Sequence, residues 1–258
     1  MKIGKSQFKN YTYVMAIVNL TPDSFYAPSR NGEYTVLKTV ERAVKDGAAV
    51  IDLGAQSTRP NYTEVSAEEE IARLDRPLEL IKRNFDVPVS VDTYFQKCAE
   101  FALENGADMI NDVWGLSRDS RMAKTIAKFN ASVCIMHNAK SVLCGDIFES
   151  INGFLKDGVR LALDAGIAQD RICVDGGIGF AKTKEQNWQL LEGYEKLGFG
   201  YPLLLGTSRK SMFGGNAEDR LEATLQSTRL ACKKGVLFVR VHDVKENVLA
   251  IKECYGKN

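Results

Sequence analysis

The sequence predicts an α/β fold, a single (β/α)8 barrel, from two repeated patterns. Eight short apolar runs each stop at a polar residue. Longer segments with apolar residues at three- and four-residue spacing separate them, as in amphipathic helices. Strands that alternate with helices form parallel sheets, and eight parallel strands close into a barrel. The predicted strands are Val14 to Asn19, Val50 to Asp52, Val89 to Asp92, Met109 to Asn111, Val133 to His137, Ile172 to Asp175, Leu203 to Thr207 and Leu237 to His242.

The predicted helices lie between these strands. Several are followed by a glycine shortly before the next strand, as at Gly47, Gly106 and Gly235. Glycine readily adopts the left-handed conformation in which many helices end. The predicted helices are Thr35–Lys45, Ala67–Lys82, Phe95–Glu104, Arg121–Phe129, Phe148–Asp164, Lys184–Lys196, Asp219–Lys233 and Lys245–Glu253.

Length and composition predict one domain over residues 1–258. The chain is 45% hydrophobic, which is enough to fill the core of one barrel of ordinary size. A formal net charge of +1 gives no general attraction to nucleic acid or to an anionic membrane. No apolar stretch approaches the roughly 18 residues of a membrane span, and the first residues are too polar for a signal peptide. We therefore expect a cytoplasmic protein with no nucleic-acid or membrane partner.

The six cysteines are scattered and show no C-x-x-C spacing, so we expect free thiols that pack mostly as small buried hydrophobes. With two histidines in the chain, the spacing supports no metal site made of protein ligands alone.

The active site of a (β/α)8 barrel lies at the carboxyl ends of its strands, where the βα loops converge. In this sequence those ends are polar and carry both signs of charge. They comprise Asn19, Asp52, Thr58, Arg59, Asp92, Asn111, His137, Asp175, Ser208, Arg209, Lys210, Arg240 and His242.

Four of these residues suit a flat heterocycle such as a pterin or guanine: Asp92, Asn111, Asp175 and Lys210. A carboxylate accepts two parallel N–H bonds, an amide both donates and accepts, and an ammonium donates to a ring carbonyl. The alternative is that each acid caps a neighbouring loop.

A second group suits an anion. Arg240 and His242 are two residues apart and so share one side of the last strand. The segment from Ser208 to Ser211 leads toward a predicted helix N-terminus, and barrel loops after strands seven and eight commonly bind phosphate. The alternative is a structural ion pair, for example between Arg240 and Asp243.

Two βα connections, Leu20 to Glu33 and Gly54 to Ser66, are unusually long. Each could close over a substrate or simply be a variable surface loop. The glycines between Gly176 and Gly179 match no nucleotide-binding fingerprint, and we interpret them as allowing close backbone approach to a ligand.

Seven motifs occur in a characteristic order: Met15 to Phe25, Ile51 to Pro60, Ser90 to Thr93, Ile110 to Val113, Asp175 to Thr183, Ser208 to Ser211, and Arg240 to Val244. Together they resemble the motifs of the dihydropteroate synthases, over residues 10 to 254. The resemblance implies a pterin-binding barrel, usually a homodimer. It implies a transferase of folate biosynthesis that joins 6-hydroxymethyl-7,8-dihydropterin diphosphate to p-aminobenzoate and releases pyrophosphate.

The resemblance also implies a role for each matching residue. The pterin would be held by Asp92, Asn111, Asp175 and Lys210, with Arg240 stacking near its ring. Asn19 would bind Mg²⁺ together with the diphosphate, which Arg240 and His242 would also contact. The residues expected to act in the reaction are Asp92, Lys210, Arg240 and His242, and those expected to shape the aminobenzoate site are Thr58, Arg59, Pro60, Phe180 and Ser211.

The chain departs from the family pattern mainly in its loops. Tyr26 to Arg30 replace a usual Ser-Asp-Gly-Gly, Gln56 replaces a usual Glu, and Gly176 stands where Pro is usual. Two alternatives therefore stay open: a methyltetrahydrofolate-to-corrinoid methyltransferase, and a paralogue that binds a pterin without turnover.

Overall fold

The structure is a computed structural model that describes residues 1–20, 30–56 and 65–256, apart from the side chains of residues 30–32. Eight parallel strands form a closed barrel in which the last strand pairs with the first, so the predicted fold class is confirmed. The strands are β3 (Tyr13–Asn19), β4 (Val50–Gly54), β5 (Val89–Asp92), β6 (Met109–Asp112), β7 (Ser132–Met136), β8 (Ile172–Asp175), β9 (Leu203–Leu205) and β10 (Phe238–Val241).

A helix follows each barrel strand. The first helix begins at Arg30 and not at Thr35 as predicted, and the seventh begins at Leu221, after a short 3₁₀ turn over Ala217–Arg220. The helices are α1 (Arg30–Lys45), α2 (Ala67–Asn84), α3 (Gln96–Glu104), α4 (Met122–Lys128), α5 (Ile147–Asp164), α6 (Lys184–Glu192), α7 (Leu221–Lys233) and α8 (Val244–Cys254).

Side-chain caps fix where several helices begin. Ser66 Oγ accepts the backbone N–H of Glu69 at the start of α2. At α6, Thr183 and Gln186 form a reciprocal capping box. A cap satisfies backbone donors that have no partner within the helix, so these residues set the helix boundaries and with them the lengths of the preceding loops.

An N-terminal hairpin, absent from the predicted elements, closes the amino-terminal end of the barrel. It consists of β1 (Lys2–Ile3) and β2 (Ser6–Gln7), which pair antiparallel. Ile3 and Phe8 are buried in one cluster with inward-pointing residues of the strands. The cluster contains Met1, Ile3, Phe8, Met15, Val50, Met109, Cys134, Cys173, Leu204, Leu237 and Phe238, and we call it the barrel floor.

All six cysteines are free, as predicted. As expected, Cys98, Cys134 and Cys173 are buried. Cys144 and Cys254 are exposed, so the expectation of buried packing was wrong for those two. Within the described ranges, no helix is both long enough and apolar enough to cross a membrane.

The barrel floor gives a stability prediction. Phe8 is 5% exposed, and its ring lies edge-on to Phe238 and to Tyr13 with centroid separations of 5.0 Å in both cases. Phe8→Ala should therefore lower the free energy of unfolding by about 3–5 kcal/mol, as for other buried aromatic truncations. Urea unfolding measures this change. Phe8→Leu, which keeps most of the apolar volume, is the control; equal stability of Phe8→Ala and wild type would contradict the packing account.

Candidate functional site

The barrel interior changes from apolar to polar within two residues on several strands. Side chains two apart on a strand point the same way, so each floor residue has a partner one step closer to the carboxyl end. On four strands that partner is polar and largely buried. The pairs are Val50 and Asp52, Met109 and Asn111, Cys173 and Asp175, and Phe238 and Arg240. We call this upper layer the barrel mouth.

Arg240 bridges two acids across the barrel mouth. Its Nε donates to Asp52 Oδ2 and its Nη2 donates to Asp92 Oδ2, both at 2.6 Å. Asp52 is fully buried and Asp92 is 9% exposed, so both bonds are largely shielded from solvent. Although burial lowers the pKa of Arg240, the two carboxylates raise it above its ordinary value. Arg240 is therefore a permanent cation at the centre of the mouth.

Asp92 and Asn111 lie side by side on neighbouring strands. The two residues are register partners between β5 and β6. Asn111 Nδ2 also lies 3.5 Å from Asp52 Oδ2; the other oxygen of Asp52, Oδ1, is buried and has no hydrogen-bond partner among the described residues. Burial raises the pKa of Asp92 to about 7; Arg240 opposes this shift and Asp52 adds to it. The mouth thus holds acceptor oxygens whose hydrogen-bonding capacity is incompletely used.

Asp175 ends β8 on the opposite side of the mouth and is 5% exposed. Its Oδ1 accepts the backbone N–H of Gly177 at 2.7 Å and the hydroxyl of Tyr194 at 2.8 Å. Burial raises the pKa of Asp175, while the nearby charge of Lys210 and these two bonds lower it. The backbone of the mouth therefore helps to keep this carboxylate ionised.

Lys210 extends from the loop after β9 toward Asp175. Its Nζ donates to the carbonyl of Ile178 and lies 4.7 Å from the centre of the Phe180 ring. Burial lowers the pKa of Lys210 to about 8, against the opposing effect of Asp175. Lys210, expected with Asp175 at the pterin, is thus brought close to Phe180, which was expected at the aminobenzoate site.

Lys182 and His137 form a buried contact that sequence reasoning did not assign. Lys182 Nζ lies 3.0 Å from His137 Nδ1 and donates to the carbonyls of Gly177 and Phe180 at 2.9 Å each. Burial lowers the pKa of His137 to about 3 and, with the charge of Lys182, keeps the ring neutral. Burial also lowers the pKa of Lys182 to about 7. The contact ties the loop after β8 to the end of β7.

His242 and Ser208 connect the last two strands. Ser208 Oγ lies 3.0 Å from His242 Nδ1 and accepts the backbone N–H of His242 at 3.2 Å. With that lone pair used, the serine hydroxyl can donate to Nδ1, which places the proton of a neutral imidazole on Nε2. Nε2–H is then a donor suited to an anionic oxygen.

The suggested pairing of Arg240 with Asp243 does not occur. Asp243 is bound instead by Arg209, at 3.1 Å from Nε and 2.6 Å from Nη2. Asp243 lies past the end of β10, whereas Arg240 points into the barrel at Asp52 and Asp92. Arg240 does form ion pairs, but with Asp52 and Asp92 of the barrel mouth and not with Asp243.

Comparison with known proteins identifies the family. The family model described as pterin binding enzyme matches residues 15–242 of the 258 in the chain. The chain belongs to the pterin binding enzyme family. A dihydropteroate synthase of Clostridium beijerinckii is 45% identical, with 98% of this chain and 97% of that protein covered. One of Bacillus subtilis is 40% identical, covering 93% of this chain and 86% of that protein.

Solved structures of pterin binding enzymes share the fold closely. A dihydropteroate synthase from Clostridium difficile, crystallised in the presence of pteroic acid, matches with a TM-score of 0.94 and 41% identity, over 97% of this chain and 98% of that one. One from Xanthomonas albilineans, with 4-aminobenzoic acid, matches with a TM-score of 0.89 and 34% identity, over 96% of this chain and 93% of that one. The predicted family resemblance is confirmed, and the main interpretation, a dihydropteroate synthase, is favoured over the methyltransferase.

One detail of this pterin binding enzyme differs from expectation, and the expected approach of a ligand to the glycine-rich turn stays a prediction. Ser211 does not begin a long helix but a three-residue 3₁₀ turn (Ser211–Phe213), and α7 starts only at Leu221, so the predicted helix N-terminus for an anion was wrong. The glycine-rich turn contacts protein groups: a Cβ on Gly177 would lie 1.9 Å from the carbonyl oxygen of His137, and one on Gly179 would lie 3.0 Å from Lys210 Cδ.

Some predicted residues lie outside the described part of the chain. Thr58, Arg59 and Pro60 fall within residues 57–64, and most of the first long loop falls within residues 21–29. Their predicted roles stay predictions. Asn19 is described: it ends β3 beside Gly54, and its Oδ1 lies 3.6 Å from where a Cβ on Gly54 would stand.

The bridge at the barrel mouth gives a stability prediction. Arg240→Met leaves Asp52 and Asp92 without their cation, and an uncompensated buried charge costs about 3–5 kcal/mol. The loss should be large at pH 8 and smaller at pH 5, because protonation of the unpaired acids relieves it as the pH falls. Urea unfolding of wild type and variant at both pH values measures the difference.

The control for this variant is Arg160→Met, which removes an exposed arginine on α5 paired with Asp157. That pair is exposed on both sides, so its loss should leave stability nearly unchanged. A penalty for Arg240→Met that does not depend on pH would contradict the view that two buried carboxylates depend on this guanidinium.

Proposed function

We propose that this chain catalyses the dihydropteroate synthase reaction, joining 6-hydroxymethyl-7,8-dihydropterin diphosphate to p-aminobenzoate with release of pyrophosphate. The observation that carries this assignment is the set of donors and acceptors at the barrel mouth: Asp92 and Asn111 side by side, with Asp175 and Lys210 opposite. A flat heterocycle with N–H donors along one edge and a carbonyl on the other matches that set.

The reaction needs stabilisation of opposite charges at its two ends. As the bond between the pterin methylene and the diphosphate oxygen breaks, negative charge develops on the leaving oxygens and positive charge on the pterin. Arg240 and His242 lie on the last strand and just past it, and both carry N–H donors of the type that suits the leaving oxygens. Asp92 and Asp175 are carboxylates of the type that suits a positively charged pterin.

No strong general base is required of the chain. The aryl amine of p-aminobenzoate is already a neutral nucleophile, and its nitrogen forms the new bond to the methylene carbon. The amine proton is lost to solvent or to the released pyrophosphate. The protein therefore contributes mainly orientation and charge stabilisation.

Asn19 fits the proposed Mg²⁺ role in donor type and in position. Mg²⁺ prefers oxygen ligands and is commonly bound by one or two protein groups together with substrate phosphates. The Asn19 amide oxygen lies beside Gly54, its register partner on β4, and Gly54 is in turn the register partner of Asp92 on β5. When bound, the ion would supply positive charge to the leaving diphosphate.

We make three further proposals. The first is that the aminobenzoate site is lined by Thr58, Arg59, Pro60, Phe180 and Ser211. We propose a homodimer, and we propose that the protein acts in the cytoplasm. Sedimentation analysis tests the dimer directly.

The activity is tested by pyrophosphate release from purified protein with Mg²⁺ and both substrates. Release should require both substrates. Tight pterin binding without release would favour the non-catalytic paralogue, and methyl transfer from methyltetrahydrofolate to a corrinoid would favour the methyltransferase.

His242 gives the sharpest prediction for the leaving group. His242→Ala should lower turnover at least tenfold, because a charge-assisted hydrogen bond to the diphosphate is worth about 1.5–3 kcal/mol. Its affinity for 6-hydroxymethyl-7,8-dihydropterin, which lacks the diphosphate, should change little. Steady-state pyrophosphate release and calorimetry on one preparation measure the two quantities.

The matched control is Ser208→Ala, which removes only the hydroxyl that orients His242. It should retain more turnover than His242→Ala. If His242→Ala melts at a lower temperature yet turns over at the wild-type rate, the residue is structural and the assignment to the diphosphate is wrong.

A further inference from the structure

Tyr194 places a phenol hydroxyl directly behind Asp175. The residue begins a 3₁₀ turn (Tyr194–Lys196) after α6, and its side chain is fully buried. The hydroxyl lies 2.8 Å from Asp175 Oδ1, 2.6 Å from the carbonyl oxygen of Leu204 and 3.0 Å from the backbone nitrogen of Gly176. One buried hydroxyl thus has three polar partners from two segments, the end of β8 and β9.

The hydroxyl has a single proton to give. The N–H of Gly176 can only donate, so it uses a lone pair of the phenol oxygen. The proton then goes either to Asp175 Oδ1 or to the carbonyl of Leu204. An ionised carboxylate is the stronger acceptor, so the proton lies toward Asp175 whenever that group is charged.

This bond decides which oxygen of Asp175 is offered to a ligand. Oδ1 already accepts two bonds, from Tyr194 and from the backbone of Gly177. Oδ2 lies on the side of Gly206 and Arg240, 3.9 Å from where a Cβ on Gly206 would stand. With Oδ1 held from behind, rotation of the carboxylate is restricted and Oδ2 is presented to the barrel mouth.

Gly176 is complementary to Tyr194 in two ways. A Cβ at Gly176 would lie 3.2 Å from Tyr194 Cε2 and 2.6 Å from Leu197 Cδ1, so a side chain there would press on the ring and on its neighbour. Gly176 also supplies the N–H that the phenol oxygen accepts. Proline, usual at this position in the resembling family, has no N–H to give.

We propose that Tyr194 is a positioning residue for pterin binding, which acts by holding the Asp175 carboxylate in a fixed orientation. The proposal rests on the proposed function to the extent that Asp175 binds the pterin. It extends the site to a residue that no sequence motif identified.

Tyr194→Phe tests the proposal by removing only the hydroxyl. Calorimetry with 6-hydroxymethyl-7,8-dihydropterin at pH 7 should show affinity about tenfold weaker than wild type, as for loss of a hydrogen bond to a charged group. Tyr255→Phe is the matched control. It also removes a phenol that contacts another side chain, Thr12 at 3.1 Å, but at the amino-terminal end of the barrel, and it should bind the pterin like wild type.

A double-mutant cycle separates positioning from general destabilisation. If Tyr194 acts through Asp175, Tyr194→Phe should weaken pterin binding no further in an Asp175→Asn background. A loss of equal size in both backgrounds would overturn the proposal, and so would wild-type affinity of Tyr194→Phe.

The pH dependence of binding gives an independent readout. The phenol bond lowers the pKa of Asp175, so its removal raises that pKa. As the pH falls, pterin affinity should therefore decline at a higher pH in Tyr194→Phe than in wild type. The other groups near Asp175, namely Lys182, Lys210, Arg240 and Cys134, are the same in both proteins and cancel in the comparison.

Different results would overturn the proposed activity and the proposed role of Tyr194. Wild-type protein that binds the pterin but releases no pyrophosphate overturns the proposed activity and leaves the role of Tyr194 intact. Wild-type protein that releases pyrophosphate, with identical pH profiles for wild type and Tyr194→Phe, overturns the role of Tyr194 alone.

Discussion

The guanidinium of Arg240 is the constraint on which the barrel mouth depends. Closing the barrel places β10 beside β3 and brings Arg240 within hydrogen-bond distance of acids on β4 and β5. Two buried carboxylates next to each other would be strongly unfavourable without a cation between them. With one cation for two acids, the layer stays rich in acceptors. That excess is what a ligand edge made of N–H donors would satisfy.

On the other side of the barrel mouth, a buried acid also lies near a cation. Asp175 has Lys210 as its nearby cation, and Lys210 is in turn held by the carbonyl of Ile178 and the ring of Phe180. Burial moves the pKa values of Asp92 and Lys210 toward neutrality from opposite directions, to about 7 and about 8. Small changes in the surroundings, such as a bound ligand, can therefore shift their charge. The apolar barrel floor beneath keeps water out of this layer from below.

Much of this arrangement could be predicted from the sequence because strand ends and helix ends carry local signals. The strand that ends at Asp92 has the predicted bounds, and the acids, amide and lysine of the proposed pterin set do meet at one end of the barrel. The hairpin at Lys2–Gln7 gave no signal, because two-residue strands are too short to show periodicity.

Contacts between distant residues were out of reach of pattern reasoning. Arg240 and Asp52 are 188 residues apart, so nothing local distinguishes Asp52 from Asp243 as a partner. The interpretation of the glycines after Asp175 was incomplete for the same reason. Their close neighbours include Tyr194, Leu197 and the carbonyl of His137, which lie in other segments of the sequence.

The central claim is that the acids, amide and lysine of the barrel mouth hold a pterin by its two edges. A crystal structure of the protein with 6-hydroxymethyl-7,8-dihydropterin tests it most directly. We expect the ring inside the mouth, with ring N–H donors within about 3 Å of Asp175 Oδ2 and of the Asp92 or Asn111 side chain, and the ring carbonyl near Lys210. A pterin bound outside the mouth, or one whose carbonyl edge faces Asp175, would contradict it.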